Sequence, residues 1–163
     1  METEGPLFPG LPAVVLHCPR IPQNVGAVAR VCAVGGASLH IVRPVPFELS
    51  DRTLKRSGMD YLDLLRLRDH LGWPECRAAL GPRRFWLLSS SGDQSLFDTK
   101  FLPDDALLFG NESSGVPDEV RDEFAGRILR IPMPEPKARC LNLATATAIS
   151  LFEVLRQTGR LVL

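Results

Sequence analysis

Three short segments of the chain combine glycine, amide and charged side chains in ways suited to holding a small polar ligand. The first, Asn24-Val25-Gly26-Ala27-Val28-Ala29-Arg30, joins an amide able to cap a helix to a guanidinium nearly two turns later. Arg30 reads either as a positioned cation or as a surface arginine paired with a carboxylate. In the second, Phe109-Gly110-Asn111-Glu112-Ser113-Ser114-Gly115-Val116-Pro117, two glycines bracket a polar loop. That arrangement permits positive φ and close backbone approach to a ligand, or only a tight turn. It lacks the Gly-Lys-Ser/Thr of a P-loop and the Gly-x-Gly-x-x-Gly of a dinucleotide site. The third runs from Ile131-Pro132-Met133 past Pro134 and Pro136 to Cys140-Leu141-Asn142-Leu143 at the start of a helix. It offers backbone donors and acceptors at that helix terminus, although Asn142 is equally a simple cap. Nothing matches a hydrolase triad or a pair of glycosidase carboxylates. Cys18, Cys32, Cys76 and Cys140 form no Cys-x-x-Cys pair, and His17, His40 and His70 complete no metal-ligand spacing, so no metal is expected.

The elements that must position these segments alternate strand with helix. Ala13 to Cys18, Leu39 to Val42, Phe85 to Leu88, Ala106 to Phe109 and Ile128 to Ile131 are short apolar runs with the composition of strands. Between them, Val25 to Val34 reads as a helix ended by Gly35-Gly36, and Leu62 to Leu71 and Glu75 to Leu80 as two more. Pro117 with Asp118 and Glu119 is a helix start, acids lying against the positive end of the dipole. A last helix is expected from about Asn142 to Thr158. Strands that are apolar throughout, each separated by helix-length sequence, predict a single α/β domain over 1–163: a mainly parallel sheet with helices on both faces. Residues 1–12 read as a loosely held arm. In such sheets ligands bind beyond the carboxyl ends of the strands, where all three segments fall.

The bulk composition sets the outer limits. A chain of 163 residues buries roughly two-thirds of the surface its unfolded form exposes, enough for a core without metal or disulfide. The apolar fraction of 45% and charged fraction of 23% are those of an ordinary globular protein, with no apolar run of membrane-spanning length. The first residues lack the basic flank and apolar stretch of a signal peptide, and the expectation is a cytoplasmic protein. Net charge is zero, which argues against holding nucleic acid by bulk electrostatics but leaves room for a local basic surface. Arg52, Lys55 and Arg56 cluster in one segment and Arg83 with Arg84 in another; a solvated face is the simpler reading of both.

Taken together and in order, the three segments resemble the signature motifs of the SPOUT class of RNA methyltransferases. The nearest branch is the TrmL-like enzymes that methylate the ribose of the wobble nucleotide of tRNA. The resemblance runs from about Val14 to Gln157. It rests on Ile21-Pro22-Gln23-Asn24-Val25-Gly26 with Arg30, Leu108-Phe109-Gly110-Asn111-Glu112 with Gly115, and Ile131-Pro132-Met133 leading to Leu141-Asn142-Leu143. It implies a deep C-terminal trefoil knot, which general fold rules would never propose. It also implies a homodimer with active sites at or near the interface, and S-adenosylmethionine as methyl donor. Carried over by position, Leu88, Gly110, Ile131, Cys140 and Leu141 would hold the cofactor, largely through backbone groups. Cys140 departs from the family, which usually has serine there. The resemblance assigns Arg30 to the reacting centre, with Asn24, Glu112 and Asn142 at the motif's polar positions. Met59-Asp60-Tyr61 resembles a segment on the RNA-facing side, where Tyr61 could stack on an unpaired anticodon base, near Arg52 and Arg56. The implied substrate is a tRNA anticodon stem-loop, cytidine or modified uridine. The rivals are another tRNA or ribosomal RNA ribose, and a catalytically silent RNA-binding module.

Overall fold

The computed structural model describes residues 6–163. Its strands are β1 (Ala13–His17), β2 (Ser38–Val42), β3 (Arg66–His70), β4 (Phe85–Leu88), β5 (Gln94–Ser95), β6 (Ala106–Phe109) and β7 (Ile128–Arg130). They form one sheet in the order β3-β2-β1-β6-β4-β7-β5, and every pairing is parallel. The chain builds outward from β1 in one direction and then returns to its other side. β1 and β6 therefore flank the point where strand order reverses, the place in such a sheet where a crevice opens.

Among the described residues five helices cover the two faces: α1 (Pro22–Gly35), α2 (Asp51–Arg56), α3 (Trp73–Leu80), α4 (Asp118–Asp122) and α5 (Leu143–Gln157). Strand periodicity of two divides the core between them. Val14, Leu16, Leu39, Ile41, Leu107 and Phe109 pack with Val28 and Cys32 of α1 and Leu151 and Val154 of α5. Ala13, Val15, Phe85, Leu87 and Leu108 pack with Trp73, Cys76 and Leu80 of α3, Val120 of α4 and Phe124 just after it. Burial on both faces is why these strands read as unbroken apolar runs. The α/β architecture with helices on both faces is the one expected.

Two expectations need correction. Leu62 to Leu71 is not a helix but a 3₁₀ turn (Leu62–Leu64) followed by β3. As an edge strand β3 pairs only with β2 and leaves Arg66, Arg68 and Asp69 exposed, so it carries charges that a central strand cannot. The second correction concerns the arm. Residues 1–5 lie outside the described residues, but 7–11 are docked rather than loose. The buried guanidinium of Arg83 donates to the carbonyls of Leu7, Phe8 and Leu11, and the Leu7 N–H bonds Ala79 O at 3.0 Å.

Arg84, in the same pair of arginines, fastens the other side of the sheet. Asp105, fully buried at the start of β6, accepts from Arg84 Nε at 2.9 Å, Trp86 Nε1 at 3.0 Å and the Leu102 N–H at 2.9 Å. Removing this carboxylate strands all three donors. Asp105→Ala is expected to cost about 3–5 kcal/mol of stability, read as a lowered urea midpoint at unchanged slope.

Candidate active site

The carboxyl ends of β1, β4, β6 and β7 open into a cleft of about 750 Å³. That is the size of site that encloses a nucleoside-sized molecule. Its wall comes from the sequence segments singled out above. Asn24, Leu88, Gly110, Glu112, Ile131, Cys140, Leu141 and Asn142 all line it.

One hydrogen-bond network ties the three segments together. Glu112, in the loop after β6, accepts from the N–H groups of Arg20 (2.8 Å) and Ile21 (3.2 Å) and from Asn24 Nδ2 (3.1 Å). Asn142 Nδ2 in turn donates to Asn24 Oδ1 at 3.0 Å. Asn142 Oδ1 caps α5 by accepting from Ala144 N–H at 2.9 Å, so capping and bridging are both done by this one residue. Asn24 is no cap: it lies in the first turn of α1, which begins at Pro22 with Ile21 as an N-cap lacking a side-chain partner. The Glu112 carboxylate sits at that helix entrance instead, satisfying backbone donors from across the cleft where the dipole favours an anion.

The Glu112 loop is closed on itself. Asn111 and Gly115 exchange backbone hydrogen bonds at 3.1 and 3.2 Å, and Asn111 Oδ1 accepts from the N–H groups of Ser113 (2.9 Å) and Ser114 (2.8 Å). Gly115 adopts φ of 70°, and a Cβ at Gly110 would lie 2.3 Å from the Gly115 carbonyl carbon. Both glycines are thus required by geometry. On the opposite wall Arg121 of α4 donates to Ser89 Oγ at 3.3 Å and Ser91 Oγ at 3.0 Å. The serine run 89–91 and Arg121 were missed in the sequence, although three serines directly after an apolar strand mark a strand's carboxyl end.

Burial raises the Glu112 pKa, but hydrogen bonds from Arg20, Asn24, its own backbone and Ile21 outweigh it and hold the carboxyl below the usual range. A carboxyl depressed on folding stabilises the fold above the ordinary glutamate value of about 4.3; the contribution is lost as pH falls through the folded value. Glu112→Gln keeps the shape but turns an amide N–H₂ toward other donors. The variant is expected to be less stable than wild type at neutral pH, and the difference to shrink in acid, as read by urea midpoints at both pH values.

Not every expected site residue lies in the cleft. Arg30 is absent from its lining. Its Nη1 donates to Asp60 Oδ2 at 3.0 Å and to Gly58 O at 3.2 Å, and its guanidinium carbon lies 5.0 Å from the centre of the Tyr61 ring. Tyr61 is 40% exposed, and Arg52 and Arg56 project from the solvent side of α2. α2 is held to α1 at Gly26, where an added Cβ would approach Ser57 Cβ to 2.3 Å. Arg30, Asp60 and Tyr61 therefore form an exposed group outside the cleft lining, and Arg52 and Arg56 are exposed on α2.

For the leucine-rich and backbone-rich cleft, S-adenosylmethionine is a good fit: Leu88, Ile131 and Leu141 give apolar cover, and the glycine loop brings main-chain groups close. Comparison with known proteins agrees. A tRNA (cytidine(34)-2'-O)-methyltransferase of Methylovorus glucosotrophus is 40% identical over 145 residues, covering 88% of this chain and 94% of the relative. One of the same name from Beijerinckia indica is 43% identical over 150 residues, covering 91% and 92%. A solved structure described for the 2-OH methylation of C/U34 on tRNA superposes with a TM-score of 0.84 at 43% identity, covering 90% of this chain and 95% of that one. The SpoU methyltransferase AviRb of Streptomyces viridochromogenes, solved in complex with AdoMet, superposes at 0.78 with 27% identity, covering 93% and 59%. Residues 12–152 match the SpoU rRNA Methylase family, and the chain belongs to that family.

Proposed function

We propose that this protein transfers a methyl group from S-adenosylmethionine to the ribose 2′-hydroxyl of the wobble nucleotide of tRNA, cytidine or modified uridine. The observation that carries the reading is the Glu112–Asn24–Asn142 network, which gathers all three motif segments around one cleft. Relatives at 40–43% identity over nine-tenths of the chain supply the substrate.

When bound, S-adenosylmethionine would supply an electrophilic sulfonium methyl group for in-line displacement by a ribose 2′-oxygen, its S–CH3 bond breaking to leave the neutral thioether while the hydroxyl proton passes to solvent. The protein's part is positioning, which can be worth roughly 7–11 kcal/mol of barrier. Gly110, Ile131 and Leu141 present main-chain groups, with Cys140 in the position the family gives to serine. A thiol is a weak donor, so the contact at Cys140 is carried by its backbone. Glu112, Asn24 and Asn142 fix the loops. Arg30 offers N–H donors and no acceptor, which suits gripping a phosphate or the ribose rather than removing a proton. In this reading the exposed Tyr61, Arg52 and Arg56 are the RNA-facing residues.

The assembly is a homodimer. Arg30 lying outside its own cleft supports this, as do Val34 on α1 and Phe152 on α5, apolar side chains left 62% and 40% exposed on the packed α1/α5 pair. The C-terminal trefoil knot is supported by β7 lying between β4 and β5, which are consecutive in the chain, with buried Gly92 of their connection against the Leu129 backbone. The site is cytoplasmic, where tRNA is processed; no helix among the described residues is long and apolar enough to cross a membrane.

The decisive experiment is transfer of labelled methyl from S-adenosylmethionine to bulk unmodified tRNA, with the product nucleotide mapped. A 2′-O-methyl group at the wobble position is the expected result. Cofactor binding without transfer to any tRNA would overturn the substrate assignment and point to ribosomal RNA.

A further inference from the structure

At the sheet edge away from the cleft, three side chains with ligating atoms converge. His40 sits in the middle of β2, and His70 ends β3 two positions further along the register, opposite Val42. Their rings stack at 14° with centroids 5.3 Å apart, and His40 Nδ1 faces His70 Nε2 at 3.0 Å. Cys76, in the first turns of α3, is fully buried beneath them, and a ring nitrogen of each histidine and the sulfur all lie within 4.8 Å of one another. None of the three lines the cleft.

The outer nitrogens of both rings already have partners. His40 Nε2 is 3.1 Å from Ser38 Oγ, itself buried. His70 Nδ1 lies 3.7 Å from Glu75 Oε1, and that carboxylate is fixed because its Oε2 accepts from the Leu71 N–H at 3.1 Å. This is the outer-shell pattern that orients metal-bound imidazoles, a carboxylate or hydroxyl behind each ring and the other nitrogen aimed inward. The inward pair is separated by nearly the edge of a tetrahedron with metal–nitrogen bonds of about 2.0–2.1 Å. Without a cation the two rings share one hydrogen bond and the thiol has no polar role. Both rings are buried, His40 completely and His70 to 3% exposure.

We propose that His40 Nδ1, His70 Nε2 and the Cys76 thiolate form a structural site for a zinc-class divalent cation, tying β2, edge strand β3 and α3 together. A set of two nitrogens and one sulfur selects a borderline-soft ion. Proton balance is simple. The Cys76 S–H proton leaves to solvent, and the His40 proton shifts from Nδ1 to Nε2 as the Ser38 hydroxyl turns to accept it. One proton is released per ion. Thiolate and Glu75 together offset the ion's two charges, while Arg68 and Arg83 oppose it. Spacing along the sequence conceals the site, because His40 and His70 are brought together only by the β2–β3 pairing.

The test is a cobalt(II) titration of the full chain after chelator treatment, followed by displacement with zinc. The expected result is one cobalt per chain, a sulfur-to-cobalt charge-transfer band in the near ultraviolet, and visible bands of tetrahedral intensity. Cys76→Ser should lose the charge-transfer band and His70→Gln the stoichiometric uptake, whereas Cys140→Ser should retain both. Zinc should raise the melting temperature of the wild type and leave that of Cys76→Ser unchanged. A wild type that takes up no cobalt at one per chain overturns the proposal, as does a band that survives Cys76→Ser.

Discussion

Gly110→Ala is expected to abolish S-adenosylmethionine binding while leaving the chain folded. The added methyl would lie 2.3 Å from the Gly115 carbonyl carbon, 2.4 Å from its Cα and 2.7 Å from Val116 N. All three are backbone atoms, so no side chain can swing aside to make room. The loop must open at the Asn111–Gly115 bridge, whose two backbone hydrogen bonds close the turn beside those that the Asn111 side chain accepts from Ser113 and Ser114. Opening it moves Glu112, and with Glu112 go the bonds to Arg20, Ile21 and Asn24 that hold the first motif segment against the cleft. A misplacement of about 1 Å at such a loop costs on the order of 10²-fold. The rest of the protein should tolerate the change, since the loop follows β6 at the surface and its residues 112–116 belong to neither core cluster apart from Val116. Calorimetric titration with S-adenosylmethionine, alongside a circular dichroism melt, separates the two effects. Binding retained within a few-fold would remove this loop from the cofactor wall.

What the sequence disclosed follows from what each residue's neighbourhood demanded. β1, β2, β4 and β6 are buried on both faces, so their side chains are apolar apart from His17, Ser38 and His40, and the runs stand out. β3 escaped because it has one partner strand and solvent beyond it; Arg66-Leu67-Arg68-Asp69-His70 satisfies an edge, and the leucines spaced from Leu62 to Leu71 equally suit a helix. β5, two residues long, exists only because β7 pairs with it. In the site, the glycines and amides of the three segments were visible as types, but their assembly was not. Glu112 and Asn24 are 88 residues apart and Asn24 and Asn142 are 118 apart, and it took the family resemblance to set them side by side. Arg83 illustrates the opposite failure. As one of two adjacent arginines it reads as solvated charge, yet it is 6% exposed, spending its donors on three carbonyls of the N-terminal segment. Composition cannot reveal a cation whose partners are backbone.

Arg30→Ala is expected to lower methyl transfer by about 10²-fold or more with cofactor affinity nearly unchanged, because the guanidinium lies outside the cleft that holds the cofactor. Its present contacts, Asp60 at 3.0 Å, Gly58 O at 3.2 Å and the Tyr61 ring at 5.0 Å, are all at the exposed surface; the pair with Asp60 contributes little to stability, so the loss should be functional. Single-turnover rates at saturating cofactor, with affinity measured separately, check this. Activity retained within a few-fold would take Arg30 out of the reaction. The location of Arg30 allows a sharper version. If it serves the cleft of the other subunit, a dimer of one Arg30→Ala chain and one Gly110→Ala chain contains one site with both an intact loop and an intact arginine. Two inactive proteins, unfolded together and refolded, would then recover about a quarter of the wild-type rate by statistical pairing of subunits. If Arg30 instead swings from Asp60 into its own cleft, every site in the mixed dimer carries one defect and no activity returns. Complementation thus separates a shared active site from a mobile arginine.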